Sequence, residues 1–370
     1  MRRPIVEAPP PVPPEKEPLP VTQSIFPKLP PATSGAAAEP LRIVVTDPII
    51  SRFEQELKYD GGAHHWVMAS GWSAEEQLRA LADADVVVCS ALPPGQATAA
   101  ARLRLVHVTG AGFEKIAIDS LPPAAAVTNT FHHARPIAEH VVMVTLMLSR
   151  RVLAADSELR RGQWRTIATS PDVPFHPTLD GRVLGIVGLG SIGAEVARLG
   201  GALGMRVRAV RGNPAAAPPE GVQPEWVGGT AELPKLLETS DVVVVTVPLS
   251  EETRGLIGAA ELQQMKPSAL LVNVARGPVV DQAALYAALS ERRIAGAGID
   301  VWWGAPADGK GPPSEFHFER LDNAVLTPHH SGHARTTFER RAADIAANIA
   351  NLAAGRPLFN VVRRPHHNPA

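Results

Sequence analysis

Cysteine is nearly absent from this chain, which has Cys89 alone among 370 residues. A single thiol cannot form an intramolecular disulfide framework or a cysteine-based zinc cluster, so both kinds of scaffold are excluded. Long apolar runs are also missing, because the stretch from Val141 to Leu148 is far shorter than the roughly 20 residues that span a bilayer. We therefore expect neither a disulfide-stapled protein nor a membrane-spanning one.

An excess of charge of one sign is missing too, since 36 basic residues are balanced by 37 acidic ones. Such a balance creates no strong field for nucleic acid or anionic lipid, so we expect neither as a partner. The composition is that of a soluble globular protein, and the length is enough for two domains of roughly 100–200 residues each. In the absence of a recognisable targeting signal, the cytoplasm is the expected location.

The first forty residues differ in composition from the rest of the chain. They hold 12 of the 36 prolines, and Phe26 is their only aromatic residue. Proline removes backbone donors, and so little apolar surface cannot offset the entropy lost on ordering. We predict a disordered tail over residues 1–40, with an arm packed on a neighbouring subunit as the alternative.

Short apolar runs alternate with helical segments from Leu41 onward, which predicts strands joined by right-handed helical crossovers in parallel sheets. The strands are predicted at 41–46, 85–89, 103–108, 183–187, 206–210, 241–247, 269–273, 298–301 and 324–326. The main helices are predicted at 74–84, 136–161, 194–203 and 334–354. The segment 136–161 is amphipathic, and we expect it to pass from one lobe of an α/β protein to another.

A glycine motif follows the apolar strand 183–187 directly and opens a helix. Its sequence is Gly188-Leu189-Gly190-Ser191-Ile192-Gly193. In this context Gly188 permits a tight turn, Gly190 lets the backbone approach a pyrophosphate, and Gly193 lets the helix pack closely on the strand. The free N–H groups at the helix start, including those of Ser191 and Ile192, attract phosphate charge. The motif therefore predicts a dinucleotide site.

The end of the next strand bears on the choice between NAD and NADP. NAD sites usually place a carboxylate there to accept from the ribose hydroxyls. Here strand 206–210 runs into Arg211-Gly212-Asn213-Pro214, which contains a guanidinium and no carboxylate. Arginine binds a phosphate bidentately, so we expect NADP to be preferred and NAD to be the alternative. The other interpretation of Arg211 is an exposed surface residue.

Several blocks together resemble the D-isomer-specific 2-hydroxyacid dehydrogenases. They are 188–193, SDVVVVTVPLSEETRGLI at 240–257, NVARGPVVDQAALYAALSERRIAGAGID at 273–300, and TPHHSG at 327–332. The resemblance implies two Rossmann-like lobes with parallel sheets and an active site in the cleft between them. It implies a substrate domain of residues 41–134 and 334–370, a dinucleotide-binding domain of residues 135–333, and a homodimer.

The resemblance also implies roles for individual residues. Arg276 in NVARG matches the arginine that binds the substrate carboxylate, as hydride transfer to a 2-oxo acid requires a cation at that group. A salt bridge to the neighbouring lobe is the alternative interpretation of Arg276. His329 in TPHHSG matches the acid/base histidine, and an ordinary pKa near 6.5 suits proton exchange. His330 is the competing candidate. The Ala111–Gly112 turn matches the loop whose N–H groups receive the carboxylate, with an ordinary turn as the alternative.

Further residues match positions along the family's cofactor groove, in addition to the glycine motif and Arg211. They are Pro248, Thr253, Val274, Ala275, Asp300, His329 and Ser331. Asp300 matches an aspartate near the nicotinamide carboxamide, although a role in capping or in the loop would also explain it. The nicotinamide coenzyme and a small-molecule acid substrate are the ligands that this match implies.

One departure from the family concerns the partner of the histidine. The family usually has a glutamate before the proline of its D-V-x-x-x-E-P segment, where this chain has Ala305 before Pro306. Without that carboxylate a histidine loses orientation and proton affinity. Glu315 and Glu319 are candidate replacements. The formate dehydrogenase branch also lacks the glutamate, since it has glutamine there, and Trp302 and Ser331 are similar to that branch.

The remaining histidines do not predict a metal site, because no cluster of acidic or thiol ligands accompanies them at suitable spacing. We interpret His132, His133 and Arg135 as candidates for lining the cleft, with helix capping as the equal alternative. Trp302 and Trp303 either shape the pocket or fill a domain junction. Cys89 ends an apolar strand and is expected to be an inert buried thiol.

Three functions remain open from the sequence. The first is an NADP-preferring dehydrogenase or reductase of a small 2-oxo or 2-hydroxy acid. The second is hydride transfer on an unusual small oxyanion, for which the glutamate missing at Ala305 matters little. The third is a non-catalytic dinucleotide-binding regulator, against which the presence of both Arg276 and His329 counts.

Overall fold

The computed structural model describes residues 40–58, 64–304 and 309–365. The predicted disordered tail therefore lies outside the described residues except for Pro40, and so does Ala305. Within the described ranges, no helix combines the length and the apolar character needed to cross a membrane.

The first sheet contains six strands. Their bounds are β1 Arg42–Val45, β2 His65–Met68, β3 Val86–Cys89, β4 Leu105–Val108, β5 Ala126–Thr128 and, near the end of the chain, β13 Val361–Arg363. Their order is β13-β5-β4-β3-β1-β2, and every neighbouring pair is parallel except β13 with β5. Strands β3 and β4 are buried along their whole length, which explains why β3 is entirely apolar and β4 is apolar except for His107.

Four helices pack around this sheet. They are α1 Glu54–Lys58, α2 Ala74–Ala82, α3 Pro94–Ala99 and α10 Arg335–Ala353. Helix α10 comes from the end of the chain and buries Ala342, Ile345 and Ile349 against the same core as Val45 and Val86. The C-terminal segment is thus part of the first lobe, where β13 also lies.

The second sheet has seven strands, all parallel. They are β6 Val183–Val187, β7 Arg206–Val210, β8 Trp226–Gly228, β9 Val242–Val245, β10 Leu270–Asn273, β11 Gly296–Ile299 and β12 Ala324–Leu326. The order β12-β11-β10-β9-β6-β7-β8 reverses direction between β6 and β9. In open sheets of this kind, ligands bind outside the carboxyl ends of the strands at the point of reversal.

Helices α6 Ser191–Ala202, α7 Leu233–Thr239, α8 Ala259–Gln264 and α9 Gln282–Ser290 connect these strands. Single 3-10 turns lie at Ile50–Phe53, Ile118–Ser120, Thr230–Glu232, Gly277–Val279 and Phe318–Arg320. The α/β prediction with two Rossmann-like lobes is confirmed.

The predicted continuous helix over 136–161 is wrong. The structure has two helices, α4 Ala134–Ser149 and α5 Val152–Arg160, separated at Arg151, whose φ of 50° is left-handed. A left-handed residue cannot continue an α-helix, so the chain changes direction there. Helix α4 buries Ile137, Val141 and Val144 in the core of the second lobe.

Four short strands were not predicted, namely β2, β5, β8 and β13. Each has only three or four residues, and β2, β8 and β13 lie at sheet edges. A short edge strand has one neighbour and one exposed side, so its sequence carries little apolar patterning.

Candidate active site

The candidate residues of the second lobe follow the carboxyl ends of adjacent strands. The glycine motif follows β6, Pro248 and Thr253 follow β9, and Val274 to Arg276 follow β10. Asp300 follows β11, and His329 follows β12. Since the strands are parallel and adjacent, these loops meet at one edge of the sheet, which the first lobe faces with its loop after β4.

Close packing explains two of the three motif glycines. Gly188 has a left-handed φ of 101°, and a Cβ there would lie 2.8 Å from Val247 Cγ1. A Cβ on Gly193 would overlap the Gly188 carbonyl oxygen. The Thr246 hydroxyl donates to that same oxygen over 2.6 Å, so the loop after β9 holds the glycine turn in place.

Gly190 is different, because a Cβ there would have no atom within 4 Å. It precedes α6, whose N-terminus has no side-chain cap, so the N–H groups of Ser191, Ile192 and Gly193 lack an acceptor in the helix. Free donors at a helix N-terminus, beside open space over a glycine, form a cradle for a pyrophosphate. The residues present therefore fit a bound dinucleotide.

Beside this cradle, Thr253 and Pro248 form one turn after β9. The Thr253 hydroxyl donates to the Pro248 carbonyl over 2.7 Å and accepts from the Ser250 N–H at 2.8 Å. The hydroxyl thus stabilises the turn, and Pro248 remains exposed on it.

Asn273 shapes the loop that carries Arg276. Its buried side chain donates to the Arg276 carbonyl at 3.1 Å and accepts from the Ala275 N–H at 3.1 Å. Val274 and Ala275 are themselves buried, each with 4% of its surface exposed. Asn273 was not singled out from the sequence, although it begins the NVARG segment.

The structure brings Arg276 against the loop after β4, in the other lobe. Its Nη2 lies 3.0 Å from the position that a Cβ on Gly112 would occupy. Its guanidinium is also 4.0 Å from the Glu114 carboxylate, a contact between two exposed side chains. Exposed ion pairs of this kind contribute little, so an entering anion can replace Glu114.

The loop after β4 presents backbone donors. Asn129 donates to the Ala111 carbonyl at 2.8 Å, and the Thr130 N–H donates to the Gly110 carbonyl at 3.3 Å. Both carbonyl oxygens are therefore engaged in hydrogen bonds within the first lobe. In the described part of the chain the N–H groups of Ala111 and Gly112 donate to no protein acceptor. Beside a guanidinium, these free donors suit a carboxylate.

Asp300 organises the turn that carries His329. Its buried carboxylate accepts from the Thr327 hydroxyl at 2.6 Å and from the N–H groups of His330 at 3.0 Å and Ser331 at 3.1 Å. Its own carbonyl accepts the His329 N–H at 2.8 Å, and His329 has a left-handed φ of 55°. Burial raises the Asp300 pKa, but these hydrogen bonds outweigh it, so the pKa lies below its ordinary value.

The His329 ring is held open toward the cleft. Although this residue is exposed to solvent, partial desolvation by the cleft walls lowers its pKa below 6.5. The Asp300 carboxylate raises that pKa, whereas Arg276 and Lys115 lower it. Arg276, Lys115 and His329 thus lie within electrostatic range of each other.

Known proteins similar to this chain show the family to which it belongs. Residues 142–331 match the model of the D-isomer specific 2-hydroxyacid dehydrogenase, NAD binding domain. The chain is 34% identical over 335 residues to a glyoxylate reductase of Korarchaeum cryptofilum, covering 87% of this chain and 96% of that protein. It belongs to the D-isomer-specific 2-hydroxyacid dehydrogenase family. It is accordingly an NAD(P)-dependent 2-hydroxyacid dehydrogenase.

Two further similarities extend over most of the chain. A glycerate dehydrogenase of Methylorubrum extorquens is 32% identical over 302 residues, covering 78% of this chain and 88% of that protein. A family member from Xanthobacter autotrophicus Py2, solved in complex with NADPH and MES, has 28% identity and a TM-score of 0.70, covering 88% of this chain and 98% of that one.

In this dehydrogenase the position of the family glutamate, Ala305, lies outside the described residues. The two candidate replacements are placed by the structure away from the histidine. Glu319 lies 2.8 Å from the His317 ring, and Glu315 is exposed without a bond to His329. Within the described ranges, the His329 ring has no protein hydrogen-bond partner.

Two other members of the TPHHSG motif pack against the second lobe, Ser331 as a buried residue and His330 as an exposed one. Ser331 is buried beside Asp300, and the His330 ring packs edge-on against His140 with centroids 5.6 Å apart. His140 lies 3.4 Å from the Thr327 hydroxyl and was not identified from the sequence. The packing of His330 on His140 leaves His329 as the ring that faces the cleft.

Arg211 of this dehydrogenase folds over the loop that follows β7. Its guanidinium donates to the carbonyls of Ala216 and Ala217, while its Nε is buried without a partner in the described residues. Reaching a ligand would require the side chain to exchange these carbonyl contacts for another acceptor.

The tryptophan pair after β11 fills the second lobe rather than the cleft. Trp302 donates from its indole to the Thr327 carbonyl at 2.8 Å, and Trp303 to the Val280 carbonyl at 2.7 Å. Trp303 also stacks on Phe318 at 5.5 Å. These bonds hold the loops on either side of the site together.

The three residues at the start of α4 that were candidates for lining the cleft have different surroundings. His132 lies 2.8 Å from Asp344, and His133 accepts from Arg341 at 3.1 Å, so both face α10. Arg135 pairs with Glu139 on an exposed side of α4.

Cys89 is buried, which raises its pKa to about 12 and explains an inert thiol.

The structure distinguishes the roles of two glycines in the dinucleotide motif. Gly193→Ala should lower the free energy of unfolding by roughly 1–3 kcal/mol, because the added methyl overlaps backbone. Gly190→Ala should leave unfolding nearly unchanged and weaken coenzyme binding at least tenfold, because the methyl enters the open cradle. Urea unfolding and coenzyme titration by fluorescence measure the two effects. Equal destabilisation by both substitutions would contradict this assignment.

Proposed function

We propose that this dehydrogenase transfers a hydride between NADPH and a small 2-oxo acid or its 2-hydroxy product. In this proposal Arg276 and the N–H groups of Ala111 and Gly112 bind the substrate carboxylate, and His329 exchanges the proton. The observation that carries it is the placement of the Arg276 guanidinium against Gly112, next to unpaired loop N–H groups.

The chemistry requires two separate functions from the protein. The substrate carboxylate must be held so that the carbonyl carbon is presented to the coenzyme, and the carbonyl oxygen must receive a proton as negative charge develops. Arg276 and the loop after β4 supply the first function. His329 supplies the second, since a protonated imidazole donates to the oxygen and is then reprotonated from solvent through the open cleft.

The coenzyme supplies the hydride when bound, and the chain supplies its binding groups. The N–H groups of Ser191, Ile192 and Gly193, beside the open space at Gly190, would hold the pyrophosphate. The loop of Pro248 and Thr253 and the backbone of Val274 and Ala275 line the groove. Asp300 and Ser331 form its end near the reacting carbon by holding the His329 turn.

The preference for NADP is supported by the residues after β7. No carboxylate occurs at the end of that strand to accept from an adenosine ribose or to repel a 2′-phosphate. To bind it, the Arg211 guanidinium would exchange its contacts with the Ala216 and Ala217 carbonyls for the phosphate oxygens. A charge-assisted bond of that kind is stronger than one to a neutral carbonyl.

Assembly as a homodimer is supported by four exposed apolar side chains within residues 159–175 of the second lobe. Trp164 and Phe175 are 72% and 85% exposed after α5, and Leu159 and Ile167 are more than half exposed. Apolar side chains concentrated in one region indicate an association surface. A second copy of the chain is the occupant that the family resemblance implies.

The catalytic assignment predicts a specific pattern of variants with glyoxylate, hydroxypyruvate and NADPH. Arg276→Ala and His329→Gln should each lower kcat/KM about 10²- to 10⁴-fold. His330→Gln should lower it less than tenfold, because its ring packs on His140. The rate of reduction should also fall as pH rises past a pKa below 6.5, since only the protonated His329 donates.

Stopped-flow absorbance of NADPH measures these rates, with the exposed Arg79→Ala as the control. Oxidation of formate or phosphite without turnover of any 2-oxo acid would instead support the oxyanion function. Tight coenzyme binding without turnover in either direction would support a non-catalytic regulator.

The coenzyme assignment predicts that Arg211→Ala lowers kcat/KM for NADPH about 10- to 100-fold, because one charge-assisted phosphate contact is lost. The value for NADH should change less than threefold, since NADH has no 2′-phosphate. Initial rates over a range of each coenzyme give both numbers. A parallel loss with both coenzymes would show a structural role for Arg211.

The dimer assignment predicts that Trp164→Asp produces a monomer, because a carboxylate would be buried in an apolar interface. Sedimentation equilibrium measures the mass of each form. Trp72→Asp is the matched control, since Trp72 is 45% exposed but lies in the first lobe. A native protein that sediments as a monomer would overturn the assignment.

A further inference from the structure

A second guanidinium borders the loop that faces Arg276. Arg341 lies on α10, and its Nη1 is 4.0 Å from the position that a Cβ on Gly110 would occupy. Arg276 borders Gly112 of the same loop. Since Gly110 and Gly112 are two residues apart, the points of contact are separated by at most about 7 Å along the loop.

Two of the three guanidinium nitrogens of Arg341 donate hydrogen bonds to protein acceptors. Nε donates to the Phe131 carbonyl at 2.8 Å, and Nη2 donates to His133 Nδ1 at 3.1 Å. The Phe338 ring lies 5.4 Å from its Cζ. In the described part of the chain Nη1, which points toward Gly110, donates to no protein acceptor.

No carboxylate neutralises this charge at close range. Among the described residues, none has an oxygen within 4.0 Å of the Arg341 nitrogens. The nearest carboxylates, Asp47 and Asp344, have other partners. Asp47 accepts from Thr109 at 2.7 Å, and Asp344 accepts from Thr130 at 2.6 Å.

Burial reinforces the demand for an anion. It lowers the Arg341 pKa to about 10, although Asp47 and Asp344 raise it. Arg276 and Arg341 both lower the pKa of His133, so the two guanidinium groups act electrostatically on the same side chain. A half-buried cation with a free donor is costly unless a ligand pairs with it.

We propose that Arg341 binds a second anionic group of the substrate and thereby determines specificity. The preferred substrate is then a 2-oxo acid with a further carboxylate or phosphoryl group two or three carbons from the first. This inference rests on the proposed function, because it takes Arg276 and the loop after β4 as the site of the first carboxylate.

The test compares matched acids that differ in one anionic group. One pair is 2-oxoglutarate and 2-oxopentanoate, and the other is 3-phosphohydroxypyruvate and hydroxypyruvate. Native protein should have at least tenfold higher kcat/KM for the anionic member of one pair, and which pair responds distinguishes carboxylate from phosphoryl. Arg341→Met should raise KM for that member about 10- to 100-fold and change the neutral member less than threefold.

Two variants separate binding from structure. Arg341→Lys keeps the charge and should retain part of the preference. Arg340→Met removes the same charge from an exposed position on α10 and should leave the preference unchanged. A parallel loss for both members of a pair in Arg341→Met would show that Arg341 only supports the loop, and equal native rates within both pairs would also overturn the proposal.

Failure of the proposed function gives a different result, namely no reduction of any of the four acids. In that case calorimetric titration of 2-oxoglutarate and of 3-phosphohydroxypyruvate into native protein and Arg341→Met tests whether Arg341 binds an anion. Binding at least tenfold weaker to the variant supports an anion site at Arg341, whereas equal binding overturns it.

Discussion

The active site depends on one buried carboxylate, that of Asp300. It accepts three hydrogen bonds from the TPHHSG segment and, through its carbonyl, a fourth from the His329 N–H. Burying a carboxylate without such donors costs free energy, so the hydrogen bonds from the TPHHSG turn stabilise the charge of Asp300. The same hydrogen bonds hold the turn in its conformation. Because Asp300 directly follows β11, the second sheet itself determines where the His329 ring lies.

The two lobes contribute different chemistry to the cleft. In the proposed function the second lobe supplies the coenzyme cradle, Arg276 and His329, all at the carboxyl ends of parallel strands. The first lobe supplies backbone donors near Gly112 and, in the further proposal, the side chain of Arg341 from α10. On these proposals a substrate contacts both lobes, so its binding requires the lobes to be opposed as they are in this structure.

Much of this site was predictable from local sequence. The strand–glycine–helix order at 183–203 specifies a phosphate cradle, since glycine and free N–H groups act over a few residues. NVARG and TPHHSG indicated Arg276 and His329 through their resemblance to the motifs of the family. The short edge strands and the break at Arg151 were not predictable, because neither leaves an apolar period. His140 and Arg341 were missed because their partners are distant in the sequence, whereas Asn273 was missed although its partners are two and three residues away.

The sequence by itself determined the family, the two-lobed α/β fold and the chemical groups available for hydride and proton transfer. Only the tertiary structure decided which groups meet. It packs His330 on His140 and directs Trp302 and Trp303 into the second lobe. It also brings Arg341 to Gly110, more than two hundred residues away along the chain. The physical reason is that contacts between lobes depend on how sheets and helices pack, which no local pattern encodes.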